Sequence, residues 1–105
     1  MKQPWFMELM RVREKTCRSV LDAKGKIYAS GDDRLSNFKS TGRMNDESPQ
    51  EALWGMVSKH IIATKDMAKS GELPTEKWIT EYLGDIHNYM YLLEAIWEEQ
   101  RCLEA

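Results

Sequence analysis

Apolar positions recur at three- and four-residue steps over most of the chain, the period of helices that each bury one face. Phe6, Leu9, Met10, Cys17, Val20 and Leu21 make such a stripe, with Arg13 inside it. They predict a helix over about 5–23, opened by Pro4, where a missing N–H costs little, and followed by Gly25. Ser48-Pro49-Gln50-Glu51 has the order of a capping box with proline at the first helical position. A second helix is predicted over 49–69, with Gly71 as its stop. Thr75 is the expected cap of a third, over 76–102, whose apolar arc includes Trp78, Ile79, Tyr82, Ile86, Tyr89, Leu93 and Ile96. No window sustains the alternation of a strand. The pattern predicts one all-α domain over 1–105: a three-helix core and a long connection.

That connection, 24–47, is rich in Gly, Ser, Asp and Asn, yet it carries Ile27, Tyr28, Leu35 and Phe38. A structureless loop of this length is uncommon in a small domain. It reads as an ordered, functional loop pinned by Tyr28, Leu35 and Phe38, with one short helical turn near Asp32–Phe38. The plainer alternative is a mobile connector.

Fifteen basic residues stand against seventeen acidic ones, so the chain as a whole is not drawn to nucleic acid or to an anionic membrane. Its apolar runs are too short to span a bilayer, and no secretory signal follows Met1. Cys17 and Cys102 read as two reduced thiols, which suits the cytoplasm. Four Trp and seven Met exceed what three small helices need for a core. Ile62, Trp54 and Trp97 fall outside or at the margin of their stripes, and a homo-oligomer would cover them.

The chemistry of the third helix lies beside its apolar arc. Glu81, Asp85 and Asn88 form a strip there, with Leu92 on the far side of Asp85. A carboxylate among apolar neighbours must be paired, hydrated or metal-bound. Two carboxylates four residues apart can share a divalent cation, and a Lys or Arg from another helix can equally satisfy them. His60 points inward on the second helix. It is either a satisfied core histidine or a partner for the strip. In the loop, Lys24, Lys26, Arg34 and Lys39 alternate with Tyr28 and Phe38. Cations among aromatics suit a phosphate and a stacked base, and they also suit an ordinary solvated loop. Neither a P-loop, a serine nucleophile elbow nor a histidine pair at zinc spacing is present.

Glu81-Tyr82-Leu83-Gly84-Asp85, followed by Ile86-His87-Asn88-Tyr89, resembles the acidic–x–Leu–Gly–Asp helix of the MazG-like all-α nucleoside triphosphate pyrophosphatases. With Lys24-Gly25-Lys26-Ile27-Tyr28-Ala29 and Asn37-Phe38, the chain is similar to small phage proteins described as nucleotide-modification-associated or MazG-related. The resemblance covers roughly 20–97. It implies helical, oligomeric proteins that hold Mg²⁺ with carboxylates and hydrolyse nucleoside triphosphates to monophosphate and pyrophosphate. Carried over, Asp85 and Glu81 are the expected catalytic and metal-holding pair. His60 and Asn88 would position the ligand, Lys26 and Arg34 would steady phosphates, and Tyr28, Asn37 and Phe38 would complete the site. The chain departs from the family where Tyr82 replaces a carboxylate three before Asp85. It also lacks the Glu-x-x-Glu of the preceding helix, so the resemblance speaks more for fold and nucleotide-related ancestry than for catalysis.

The resulting expectation is a nucleotide-binding protein, with a Mg²⁺-dependent nucleoside triphosphate pyrophosphohydrolase as its catalytic form. Two alternatives stand beside it: a non-catalytic nucleotide-binding module, and a structural or host-interaction helical protein without a ligand.

Overall fold

Four helices follow one another in the computed structural model: α1 (Gln3–Tyr28), α2 (Ser36–Asn45), α3 (Pro49–Ser70) and α4 (Glu76–Glu104). The structure describes the backbone of residues 1–28 and 33–104, and among these the side chains of all but residues 28 and 104. The fold is all-α, with one helix more than the three-helix core predicted from the sequence.

The capping signals act as their chemistry requires. Ser48 Oγ accepts from the Glu51 N–H at 3.2 Å, and Glu51 Oε1 accepts from the Ser48 N–H at 3.0 Å. Both hydrogen bonds satisfy donors that the first turn of α3 would otherwise leave open. At the other end, Gly71 takes φ 77°, the left-handed conformation that ends a helix without a Cβ penalty. Thr75 Oγ1 accepts from the Trp78 N–H at 3.1 Å and opens α4.

The segment predicted as loop 24–47 is mostly helical. α1 continues through Gly25 to Tyr28, and α2 occupies Ser36–Asn45. No side chain caps the N-terminus of α2; Asp33 just ahead of it accepts the Leu35 N–H at 2.9 Å. Tertiary contacts supply what local sequence does not. Leu35 and Phe38 are buried with Leu53, Val57, Leu93 and Ile96 in the central cluster, and Lys39 bridges Asp33 at 2.7 Å and Glu99 of α4 at 2.8 Å. Gly42 is required where the chain turns back: a Cβ there would meet the Glu47 carbonyl oxygen at 2.6 Å. Leu35 and Phe38 pin this segment as expected, whereas Asp32 and Ala29 lie outside the described residues.

α3 and α4 form an antiparallel pair, tied by Gln50 to Gln100 at the N-terminal end of α3 and by His60 to Asp85 at its middle. α2 packs on α3, and α1 packs on α4. Arg13 reaches Thr80, and Cys17 reaches Gly84, at the same separation of 67 residues. α1 therefore runs parallel to α4 in a fixed register. By that register α4 begins opposite Leu9, near the end of the second turn of α1. The first turns of α1 have no helix to lie on, and Trp5, Phe6, Met7, Leu9 and Met10 are all exposed.

A candidate ligand cavity between four helices

Asp85 is where α1, α3 and α4 meet. Its carboxylate is 15% exposed, and both oxygens are engaged. Oδ1 accepts from Lys24 Nζ of α1 at 3.2 Å, while Oδ2 lies 3.1 Å from His60 Nε2 of α3. The His60 ring rests between Tyr82 and Tyr89, with ring centroids at 5.5 and 5.9 Å. Of the two sequence readings of His60, partnership with the acidic strip is the one the structure contains. Of the readings of Asp85, it contains pairing with a cation from another helix.

Beside this triad opens a cavity of about 190 Å³, lined by Leu21, Lys24, Arg34, Asn37, Phe38, Met56, Asp85, Asn88, Tyr89 and Leu92. All four helices contribute, together with Arg34 ahead of α2. Its walls are mixed: two cations and one carboxylate, two amides, and apolar or aromatic surface from Phe38, Met56, Tyr89 and Leu92. Arg34 is held by donating to the Leu21 carbonyl at 3.2 Å. It crosses α1 at Gly25, where an added Cβ would lie 2.7 Å from its Nε. Gly25, read from the sequence as the end of a helix, thus sits inside α1 and leaves room for the arginine.

Asn88 is 6% exposed. Its Nδ2 donates to the Cys17 carbonyl at 3.1 Å, which fixes the orientation of the amide. Its Oδ1 is buried without a hydrogen-bond partner among the described residues, as is His60 Nδ1.

The candidate residues from the sequence divide into groups. Asp85, Asn88, Arg34, Asn37 and Phe38 line the cavity, and His60 reaches it through Asp85. Phe38 belongs to the central cluster as much as to the cavity wall. Glu81 is exposed and shares an open groove with Asp85, Glu76, Lys77, Thr80, Val20 and Lys24. Lys26 is exposed too, on another groove that Arg34 and Tyr91 border. The side chain of Tyr28 lies outside the described residues.

Lys24 takes the position expected of Lys26. The sequence carries the signal: once α1 extends past Ala23, Cys17, Val20, Leu21 and Lys24 follow one another at helical steps on one face. Reading Gly25 as a stop concealed it.

The donor set does not suit a Mg²⁺ ion. Such an ion requires near-octahedral oxygen ligation. The cavity offers a single carboxylate, whose oxygens already accept from Lys24 and face His60, and Glu81 lies off the cavity. Among the described residues no three His, Cys, Asp or Glu side chains are grouped to hold a metal. Nor is any described helix long and apolar enough to cross a membrane. In comparisons with protein-family models, curated proteins and solved structures, none matches this chain.

Proposed function

We propose that the protein binds a nucleotide, or a small nucleotide-like anion, in the cavity between the four helices, without metal-assisted turnover. The observation that carries this reading is the convergence of Lys24, Arg34 and an apolar, aromatic wall on one cavity bounded by Asp85 and Asn88. A planar base would lie against Phe38, Met56, Tyr89 and Leu92. Its phosphates would extend toward Lys24 and Arg34, cations that attract them and donate to their oxygens. Asp85 holds the Lys24 ammonium at the cavity wall, and His60 holds Asp85. A fixed cation loses less freedom on binding than a mobile one.

The binding module is favoured over the pyrophosphohydrolase because the cavity has no second carboxylate. Metal-activated water and neutralisation of a triphosphate both need a coordinated cation. The test is thermal unfolding with a panel of nucleoside mono-, di- and triphosphates, with and without Mg²⁺, alongside an assay for pyrophosphate release. Stabilisation without release supports the proposal. Release abolished by Asp85→Asn would favour the enzyme, and no shift with any nucleotide would leave only the structural alternative.

We also propose a homo-oligomer, formed through the uncovered turns of α1. Trp5 is 70% exposed, and Phe6, Met7, Leu9 and Met10 extend the patch. One aromatic side chain can bury about 150–250 Å², so several apolar side chains on adjacent turns approach the roughly 800 Å² that each partner gives to a stable interface. The stripe that covers α4 lower down α1 continues into these turns, which suits a second copy of the same helix. Light scattering on the intact chain and on Trp5→Glu/Leu9→Glu tests this. A dimer or larger species that dissociates in the double variant is expected; a monomeric parent chain would contradict it.

A further inference from the structure

We infer that the outer face of the α3–α4 pair is a second self-association surface, covered by the same face of another copy of this chain. Trp54 and Trp97 are each 54% exposed, and Ile61 and Met90 are exposed as well. Their helical positions put all four on one side. On α3, Trp54 and Ile61 lie roughly 160° and 140° around the helix from Met56. On α4, Trp97 and Met90 lie roughly 120° and 140° from Asp85. Met56 and Asp85 line the cavity together with residues of α1 and α2. The four apolar side chains therefore occupy the side of the pair that faces away from α1 and α2. Exposed apolar groups gathered in this way mark an interaction surface.

The charges on the face identify the occupant. Glu51 stands in the first turn of α3, with Lys65 and Lys69 toward its end. Glu76 stands in the first turn of α4, with Arg101 in its last. All five are exposed, and each lies within about 60° of Trp54 or Trp97 on its helix. Arg101 also holds Glu98. Glu94 shares the arc without a cation opposite it. Each helix thus starts acidic and ends basic. A two-fold along or across the helix axes lays each helix antiparallel to the one it meets, so acidic starts meet basic ends. A partner of one charge sign would be repelled at one end of each helix; a second copy matches both. Two helices side by side are about 20 Å wide, and the 22 residues of α3 are about 33 Å long. Such a face offers about 650 Å², near the roughly 800 Å² that each partner gives to a stable interface. The face is separate from the exposed turns of α1, and a chain with two such two-fold surfaces closes into a tetramer.

Analytical ultracentrifugation of the parent chain, of Trp54→Glu/Trp97→Glu and of Trp5→Glu/Leu9→Glu provides the test. Both double variants change exposed side chains, and circular dichroism checks that they keep the fold. The parent chain is expected as a tetramer and each double variant as a dimer. Lys65→Glu/Lys69→Glu should weaken the association through the α3–α4 face about tenfold or more. A dimeric parent that becomes a monomer only in Trp54→Glu/Trp97→Glu would support this face and overturn the one on α1. A Trp54→Glu/Trp97→Glu variant with the mass of the parent, or a monomeric Trp5→Glu/Leu9→Glu variant, would overturn the α3–α4 face and leave the α1 interface standing. A monomeric parent chain would overturn both.

Discussion

His60 and Asp85 meet across the α3–α4 interface, with Nε2 3.1 Å from Oδ2, while Lys24 of α1 holds the other carboxylate oxygen at 3.2 Å. One side chain of α4 thereby fixes the positions of two other helices around the cavity. This arrangement makes Asp85 matter for stability as well as for ligand binding.

Removing the hub should cost more than removing its more exposed arm. Asp85→Ala strands His60 and Lys24 and is expected to destabilise the fold by about 1–3 kcal/mol. Lys24→Ala should cost less, about 0.5–1 kcal/mol, because its ammonium is partly solvated and water replaces it. Urea unfolding of the two variants measures the order. A larger loss for Lys24→Ala would show that Asp85 is not the hub.

Two glycines make opposite predictions. In Gly42→Ala the new Cβ would press on the backbone of Glu47 and Ser48, with 2.6 Å to the Glu47 carbonyl oxygen. Destabilisation of about 1–3 kcal/mol is expected. Gly55 lies in α3 with nothing within 4 Å of an added Cβ. Gly55→Ala should therefore stabilise by about 0.5–1 kcal/mol through helix propensity. Thermal midpoints that move in the same direction would contradict the structure.

Acid should weaken the fold through two carboxylates. The hydrogen bond from Lys39, and then that from the Leu35 N–H, hold Asp33 below its ordinary range. Glu51 is lowered first by the Ser48 N–H and then by the Ser48 hydroxyl. Because the folded values are depressed, their stabilisation is complete above the unfolded values near ~4 and is lost as pH falls through the lower folded ones. Lys39 is raised, chiefly by Asp33 and then by Glu99, so its share disappears only at strongly alkaline pH. Urea midpoints measured between pH 5 and 2 should fall with acidification. Asp33→Asn and Glu51→Gln should flatten that fall.

Helix ends were readable wherever the cap is local. Ser48, Glu51, Gly71 and Thr75 act within a few residues of themselves, so their order in the sequence suffices. Of α2 the sequence shows only a short turn near Asp32–Phe38, because the reasons for the rest are distant: Leu35 and Phe38 are held by α3 and α4, and Lys39 by Glu99. Periodicity also placed His60 inward and Asp85 and Asn88 at the edge of the buried face of α4. It could not distinguish Glu81 from Asn88, since both adjoin Asp85 on α4 and only the register of α1 leaves one exposed and the other buried. The same register brings in Lys24 in place of Lys26.

The most direct measurement is calorimetric titration of nucleoside triphosphates, in the absence of divalent cations, into the parent chain and into Lys24→Ala. A saturable site on the parent chain, weakened about tenfold or more in the variant as the phosphate loses its fixed cation, is the expected result. Binding that is absent from both proteins, or identical in both, would contradict a nucleotide seated between Lys24 and Arg34.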